Sequence, residues 1–179
     1  MSTLKTTSIT HGSNSGTANI ALASDGTITF AKPLDNLPTF GVRPSSNQTG
    51  VAQNTLTKIV WGTEDWDVGS SFASDKFTVP AGKAGIYHFD VQACIDDVGD
   101  NTEVELRLYK NGSGINTPQS DRSWSTGSNN LIFVRHSLLY SLAVGDYIEV
   151  YIVHGESGDQ VVNADRTYWS GFRLAGYNP

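Results

Sequence analysis

The stretch that decides the fold is residues 85–95, GIYHFDVQACI, which alternates between apolar and polar side chains. Every second position is apolar, and these residues are Tyr87, Phe89, Val91, Ala93 and Ile95. His88, Asp90 and Gln92 occupy the positions between them. Successive side chains of a strand point to opposite sides of a sheet, so the pattern predicts a strand with one apolar and one polar face.

Strand-like segments of this kind recur along most of the chain. Residues 103–109 repeat the alternation, and an Asn-Gly pair, Asn111 and Gly112, follows as a hairpin turn signal. No segment of useful length has the 3.6-residue period of an amphipathic helix. The sequence therefore predicts an all-β sandwich or jelly roll. The expected strands lie in residues 39–43, 56–61, 76–79, 85–95, 103–109, 131–142, 147–154 and 167–174.

Composition and charge exclude several classes of protein. The chain has 179 residues, 38% of them hydrophobic and 17% charged, with a net charge of −6. A nucleic-acid partner is not expected, because the chain has no basic stripe to displace counterions. Membrane insertion is not expected either, since no apolar run reaches the length of a spanning helix and residues 1–10 lack the apolar run of a signal peptide. The single cysteine, Cys94, is predicted to be a reduced core residue.

Residues 1–35 differ in composition from residues 36–179, and we treat them as two domains. The first is rich in Ser, Thr, Asn and Gly, and two strand-like pieces, residues 19–22 and 27–30, flank a turn signal at residues 24–26. Such a segment buries too little apolar surface to fold alone, so it is either disordered or packed against a partner. The apolar residues available for that attachment arm are Leu4, Ile9, Ile20, Leu22, Ile28 and Phe30.

Four stretches of the second domain, taken in order, resemble the complement-C1q/tumour-necrosis-factor family. They are FTVP and GIYHF within residues 77–89, LRLYKNG at 106–112, LLYSL and GDYIEV within 138–150, and YWSGFRL at 168–174. The resemblance extends over roughly residues 39–176. It implies a C1q/TNF-like jelly-roll sandwich that assembles as a tight homotrimer.

The aromatic content of the chain is consistent with the homotrimer that the resemblance implies. The chain has 4 Trp, 7 Tyr and 7 Phe, more large amphipathic area than one small sandwich needs for its core. Aromatic residues at a three-fold axis would use the excess. Tyr151 and Trp169 are the candidates for that trimer interface.

The leader, residues 1–35, resembles the start of structural proteins of tailed bacteriophages, particularly marine ones. That resemblance implies a segment that docks on the virion. The chain is thus predicted to be a non-enzymatic virion structural protein, assembled in the host cytoplasm. It would decorate the capsid or form a short head or tail appendage, bound to capsid or tail proteins through its N-terminal arm.

An alternative is a tail-fibre or receptor-binding protein, or a free C1q-like ligand-binding module. Loops on a rigid sandwich usually carry ligand contacts. In this reading residues 113–130 and 156–166 would contact a host-surface glycan or protein.

No residue pattern requires a cofactor or a catalytic role. Asp96, Asp97 and Asp100 supply carboxylate oxygens that are candidate calcium ligands, but a solvated acidic loop is the preferred interpretation. The carboxylates on either side of Trp66 have no nucleophile near them in the sequence. The four histidines form no His-x-His or His-x-x-x-His pair that would indicate a metal site.

Overall fold

The computed structural model describes residues 8–9, 20–22, 24–25, 28–30, 38–115, 121–127 and 130–176. Backbone contacts divide the chain into two units, Met1–Asn36 and Leu37–Pro179. Each unit is treated by itself below. The roles assigned to residues 1–35 and 36–179 stay predictions.

The first unit contains a three-stranded antiparallel sheet. Its strands are β1 (Ser8–Ile9), β2 (Ile20–Leu22) and β3 (Ile28–Phe30), with β2 in the middle. Ile20 pairs with Phe30 and Leu22 pairs with Ile28, which confirms the predicted hairpin. Among the arm residues, Leu4 lies outside the described part of the chain.

The second unit is a sandwich of two antiparallel sheets. Its described strands are β4 (Thr39–Arg43), β5 (Gln48–Val51), β6 (Thr57–Lys58), β7 (Thr63–Val68), β8 (Phe72–Ala73), β9 (Lys76–Thr78), β10 (Gly85–Val98), β11 (Glu103–Lys110), β12 (Ser113–Gly114), β13 (Asp121–Trp124), β14 (Asn130–Leu142), β15 (Tyr147–His154), β16 (Gln160–Val162) and β17 (Tyr168–Gly176). A single 3-10 turn, Ala164–Arg166, precedes β17.

Seven strands form each sheet. In the first sheet β10 is central: β14 pairs with one of its edges, and β17 and β16 share the other. β4 and β7 extend this sheet beyond β17, and β5 pairs with β16. In the second sheet β11 pairs with β12, β13 and β15, and β15 pairs with β6 and β9. β8 completes it beside β9.

All eight expected strand regions contain strand, and six further described strands of this unit fall outside them: β5, β7, β8, β12, β13 and β16. β5 lies in the polar stretch after β4, β7 contains Trp66, and β16 lies within residues 156–166. These short segments have little apolar alternation of their own. They form strands because a neighbouring strand offers free backbone groups, and such pairing overrides weak local preference.

Aromatic side chains from both sheets fill the core. Phe40, Phe77, Phe89 and Trp169 have no solvent-exposed surface. The ring centre of Phe40 lies 5.1 Å from that of Phe77 in a stacked pair and 4.9 Å from that of Trp169 edge to face. Both are arrangements that the aromatic quadrupole favours. The prediction that Trp169 lines a three-fold axis is therefore wrong, because the alternation of β17 turns its indole into the domain's own core.

The Ser-Gly-Phe motif of β17 has a packing cause. A methyl group on Gly171 would lie 2.7 Å from ring carbons of both Phe40 and Phe89. That separation is well inside van der Waals contact, so any side chain here would push the aromatic cluster apart. The glycine in this motif therefore serves the core.

Two other motifs of the family resemblance contact each other. Asn111 Nδ2 donates to Asp146 Oδ1 at 2.7 Å, and the Tyr147 amide donates to Asn111 Oδ1 at 2.9 Å. Lys110 Nζ lies 2.8 Å from Asp146 Oδ2. Burial alone would raise the pKa of Asp146, but hydrogen bonds from Lys110, Asn111 and the Ala143 amide outweigh it and lower that pKa. The contacts tie the turn after β11 to the turn before β15.

Candidate functional site

The outer face of the first sheet, called the apolar face below, exposes a set of large hydrophobic side chains. Each is between 37% and 57% exposed: Trp66, Val68, Leu131, Phe133, Leu139, Phe172 and Leu174. They come from β7, β14 and β17. On β14 and β17 they alternate with buried residues, while Trp66 and Val68 of β7 pair with Gly41 and Thr39, which lie on the same side of the sheet as Phe172. Single exposed hydrophobic residues are ordinary, but a group gathered on one face marks an interaction surface.

Strand pairing makes this face continuous. His88 on β10 pairs with Leu139 on β14 and with Phe172 on β17. Its ring centre lies 5.1 Å from that of Phe172. Directly paired side chains on one side of a sheet touch, so Leu139, His88 and Phe172 form one row across three strands.

Trp66 extends the same surface toward the edge of the sheet. Its indole covers Gly41, the residue it pairs with, where any side chain would collide with the ring. The indole Nε1 donates to Thr39 Oγ1 at 3.2 Å. The ring is thus held flat on the sheet with half of its surface exposed.

The charged groups in the middle of the apolar face neutralise each other. Arg135 donates to both carboxylate oxygens of Asp90, at 3.1 and 2.8 Å. These hydrogen bonds raise the pKa of Arg135 above its ordinary value. Tyr168 also donates to Asp90, at 3.4 Å. A second copy or another partner could therefore cover this face without leaving a lone charge behind.

The outer face of the second sheet, called the polar face below, has a different character. Lys58 Nζ lies 2.8 Å from Glu149 Oε1, and Arg107 Nη2 lies 2.6 Å from Glu105 Oε2. Tyr151, the other candidate for the trimer interface, is half-buried on this face. Its ring centre lies 4.6 Å from that of Tyr109, and burial, followed by the charge of Glu149, raises its pKa. Its place in an interface stays a prediction.

The acidic candidates for calcium make separate contacts. Asp96 accepts hydrogen bonds from Asn163 Nδ2 at 3.2 and 2.9 Å, and Asp100 accepts one from the Gly127 amide at 2.6 Å. Asp97 is exposed. Within the described residues, no group of three or more His, Cys, Asp and Glu side chains could hold a metal ion.

Cys94 is buried, as the sequence predicts. Burial, and then the nearby Asp96 carboxylate, raise the pKa of its thiol to about 11. A thiol with that pKa is almost entirely protonated at neutral pH, which makes it a poor nucleophile.

The loops expected to carry ligand contacts are partly described. Residues 116–120 and 128–129 lie outside the described residues, while Arg122 and Trp124 lie on β13. In the second loop Glu156 accepts hydrogen bonds from the Gly99 amide at 2.6 Å and from Thr102 Oγ1 at 3.0 Å. The hydrogen bond from the Gly99 amide is the main cause of the lowered pKa of Glu156. That side chain therefore connects its loop to the one before β11.

Comparison with known proteins identifies the fold. No protein-family model and no curated protein matches the chain. The globular domain of zebrafish complement 1qA is 18% identical, with a TM-score of 0.56 over 78% of this chain and 99% of that one. Murine APRIL is 15% identical, with a TM-score of 0.56 over 77% and 99%. Eiger TNF from S. frugiperda is 16% identical, with a TM-score of 0.53 over 80% and 94%.

These likenesses show a C1q/TNF-like jelly roll, as the four sequence stretches predict. At such low identity they show the fold alone. No helix among the described residues is long and apolar enough to cross a membrane.

Proposed function

We propose that the jelly-roll domain is a non-enzymatic binding and attachment module that assembles as a homotrimer through its apolar face. The observation that carries the proposal is the set of exposed hydrophobic side chains on β14 and β17, which the half-buried His88 of β10 joins into one continuous row. Covering such a face removes apolar surface from water, and each large side chain fully buried contributes roughly 1.5–3 kcal/mol. The C1q/TNF resemblance implies three copies.

A second copy of this chain suits the face better than other partners do. The net charge of −6 makes two chains repel each other at a distance, so a self-contact must use a surface whose charges are already paired. The Asp90–Arg135 pair meets that condition. A nucleic acid or an anionic bilayer would instead require an excess of positive charge. The described residues of the apolar face carry no such excess, because Arg135 is paired with Asp90.

Light scattering on the full chain tests the assembly. A particle three times the 19.3 kDa mass of one chain, stable on dilution to nanomolar concentration, is the expected result. A monomer at micromolar concentration would refute the trimer. A dimer would leave the apolar face as the contact but refute the three-fold arrangement.

We further propose that the protein is a virion structural protein, a capsid decoration or a short head or tail appendage. The sequence of the leader supports this role through its resemblance to phage structural proteins. A leader that forms a separate unit from the jelly roll suits an attachment arm. The arm would bind capsid or tail proteins, and the trimer would project outward.

Deletion of residues 1–35 tests the attachment. The truncated protein is expected to remain a trimer and to be missing from purified particles. Normal incorporation of the truncated protein would overturn the attachment role of the arm without affecting the proposed trimer. Quantitative mass spectrometry of intact particles then separates the two locations, because decoration requires hundreds of copies and a fibre or tail part requires only a few dozen.

A further inference from the structure

A groove of about 330 Å³ lies on the polar face, at the end of the sandwich where β11 begins and β15 ends. Glu103 and Glu105 of β11 form part of its lining, together with Arg107 and with Arg122 of β13. Leu56 and Val153 add apolar surface. Its volume is at the lower end of the range for ligand sites. None of these groups is used in the assembly proposed above.

Charged groups of both signs line this groove, and each is held in place. Arg107 Nη2 donates to Glu105 Oε2 at 2.6 Å, and this hydrogen bond is the main cause of the raised pKa of Arg107. Arg122 Nη1 lies 2.7 Å from Glu103 Oε1, and its Nη2 lies 3.5 Å from Glu105 Oε2. Glu105 is almost fully buried. The two guanidinium groups and the two carboxylates therefore form one fixed network.

The network favours a neutral ligand that both donates and accepts hydrogen bonds. A guanidinium has five N–H donors, and its pairing with one carboxylate uses only some of them. The carboxylates accept but do not donate, and they disfavour phosphate or sulfate in the groove. The guanidinium groups disfavour cations. A row of hydroxyl groups matches both kinds of partner because each hydroxyl donates once and accepts twice.

An exposed indole lies beside Glu103, one of the residues that line the groove. Trp124 pairs directly with Glu103 across β13 and β11, so both side chains lie on the same side of the sheet. Arg122 shares that side because it lies two positions from Trp124. Trp124 is 56% exposed, the second-highest value among the large hydrophobic side chains of the jelly roll that the structure describes. An indole offers a flat apolar surface with a polar N–H edge.

We propose that this groove, with Trp124 at its rim, is a binding site for a neutral saccharide. The hydroxyl groups would bond to Arg107, Arg122 and the two carboxylates, while the C–H face of the sugar ring would pack on the indole. The site rests on the proposed function only in that the domain acts as a binding module, since it requires neither the trimer nor the virion. It gives the receptor-binding alternative a specific location.

The test uses the full chain on an array of neutral, sulfated and sialylated oligosaccharides, followed by calorimetric titration with the free form of the best neutral one. Selective binding of neutral saccharides is expected. Trp124→Ala and Arg122→Ala are each expected to weaken the titrated affinity by about tenfold or more, a change of roughly 1.4 kcal/mol.

Two variants serve as matched controls. Arg43→Ala removes an arginine of similar exposure whose ion pair with Asp65, at 3.0 Å, lies on the other sheet. Val144→Ala removes an exposed apolar side chain from the turn before β15, away from both the groove and the apolar face. Both are expected to leave the titrated affinity within about twofold of the parent, and circular dichroism verifies the fold of all four variants.

Three results would overturn the site: no saccharide binding on the array, a preference for anionic saccharides, or equal loss of affinity in the control variants. Light scattering on the same samples keeps the two proposals apart. A trimer that binds no saccharide refutes the site alone, and a monomer that binds refutes the assembly alone.

Discussion

The two outer faces of the sandwich each belong to a sheet of seven described strands, and their chemistry is opposite. On the first sheet Leu139, Phe172 and their neighbours are exposed, and the central ion pair joins two strands of that face. On the second sheet Glu105 is nearly buried beneath two arginines, and among the described strand residues of that sheet Trp124 is the one large hydrophobic side chain that is exposed. One fold thus separates a surface suited to permanent burial from one suited to reversible contact with a soluble ligand.

The largest expected effect is on self-association, when charged residues are introduced on one face or the other. The double substitution of Leu139→Asp with Phe172→Asp places two carboxylates on the apolar face and is expected to weaken self-association by more than about 100-fold. Tyr151→Asp, on the polar face, is expected to leave the assembly intact. Sedimentation equilibrium across a dilution series measures both. Dissociation by Tyr151→Asp alone would reverse the comparison and restore that tyrosine as the interface residue.

A smaller effect is expected from the charge network of the polar face. Glu105→Gln removes the negative charge shared by Arg107 and Arg122, and we expect the free energy of unfolding to fall by about 1–3 kcal/mol. Urea denaturation of the dissociated double variant gives this value without a contribution from assembly. The matched control is Glu64→Gln, whose carboxylate is exposed on β7. Equal losses of unfolding free energy in the two variants would mean that the charge network does not stabilise the fold more than an exposed carboxylate does.

The contacts of Asp146 that join the turn after β11 to the turn before β15, called the brace below, predict that stability depends on pH. The folded-state pKa of Asp146 is lowered, so its contribution is present above the unfolded pKa and is lost as pH falls through the folded value. Asp146→Asn should therefore cost about 1 kcal/mol at pH 7 and progressively less in acid. Thermal melts between pH 7 and pH 3 measure the difference. A constant difference would show that the carboxylate charge is unimportant, and Asp159→Asn, at an exposed position, gives the baseline.

The smallest expected effect is that of salt on assembly. An interface formed by apolar side chains with paired charges should change little between 0.1 and about 1 M sodium chloride, where the screening length falls to about 3 Å. Light scattering at each salt concentration measures the response. Dissociation at high salt would mean that ion pairs between copies hold the assembly together, and the contrast between the faces would lose its basis.

The sequence was sufficient to predict the fold because its signals are local. The alternation in residues 85–95 and the turn residues Asn111 and Gly112 are determined by neighbouring positions, and the structure confirms both. β5 and β16 could not be predicted in this way. Their pairing depends on backbone groups that only the folded chain brings together.

The surfaces were harder to predict, for a physical reason. In β14 both faces carry apolar residues: Ile132 and Val134 are buried, while Leu131 and Phe133 are exposed. The hydrophobic pattern alone cannot distinguish a side chain in the core from an exposed one on an interaction surface. Trp169 was misassigned on this account, because its indole fits a core and an interface equally well. The groove was missed because Glu103 and Arg122 are distant in sequence and meet only through strand pairing.

The brace formed by Asn111 and Asp146 has a consequence for how the molecule can change. It joins two short turns at one end of the sandwich, and their donors and acceptors are already matched, so insertions there would break the strand register. The connections at the opposite end, beside Trp124, supply Asn54 and Gly155 to the lining of the proposed groove, and loops on a rigid sandwich usually carry the recognition residues. Variation in recognition should therefore accumulate at that second end, and libraries for new specificities are best built there.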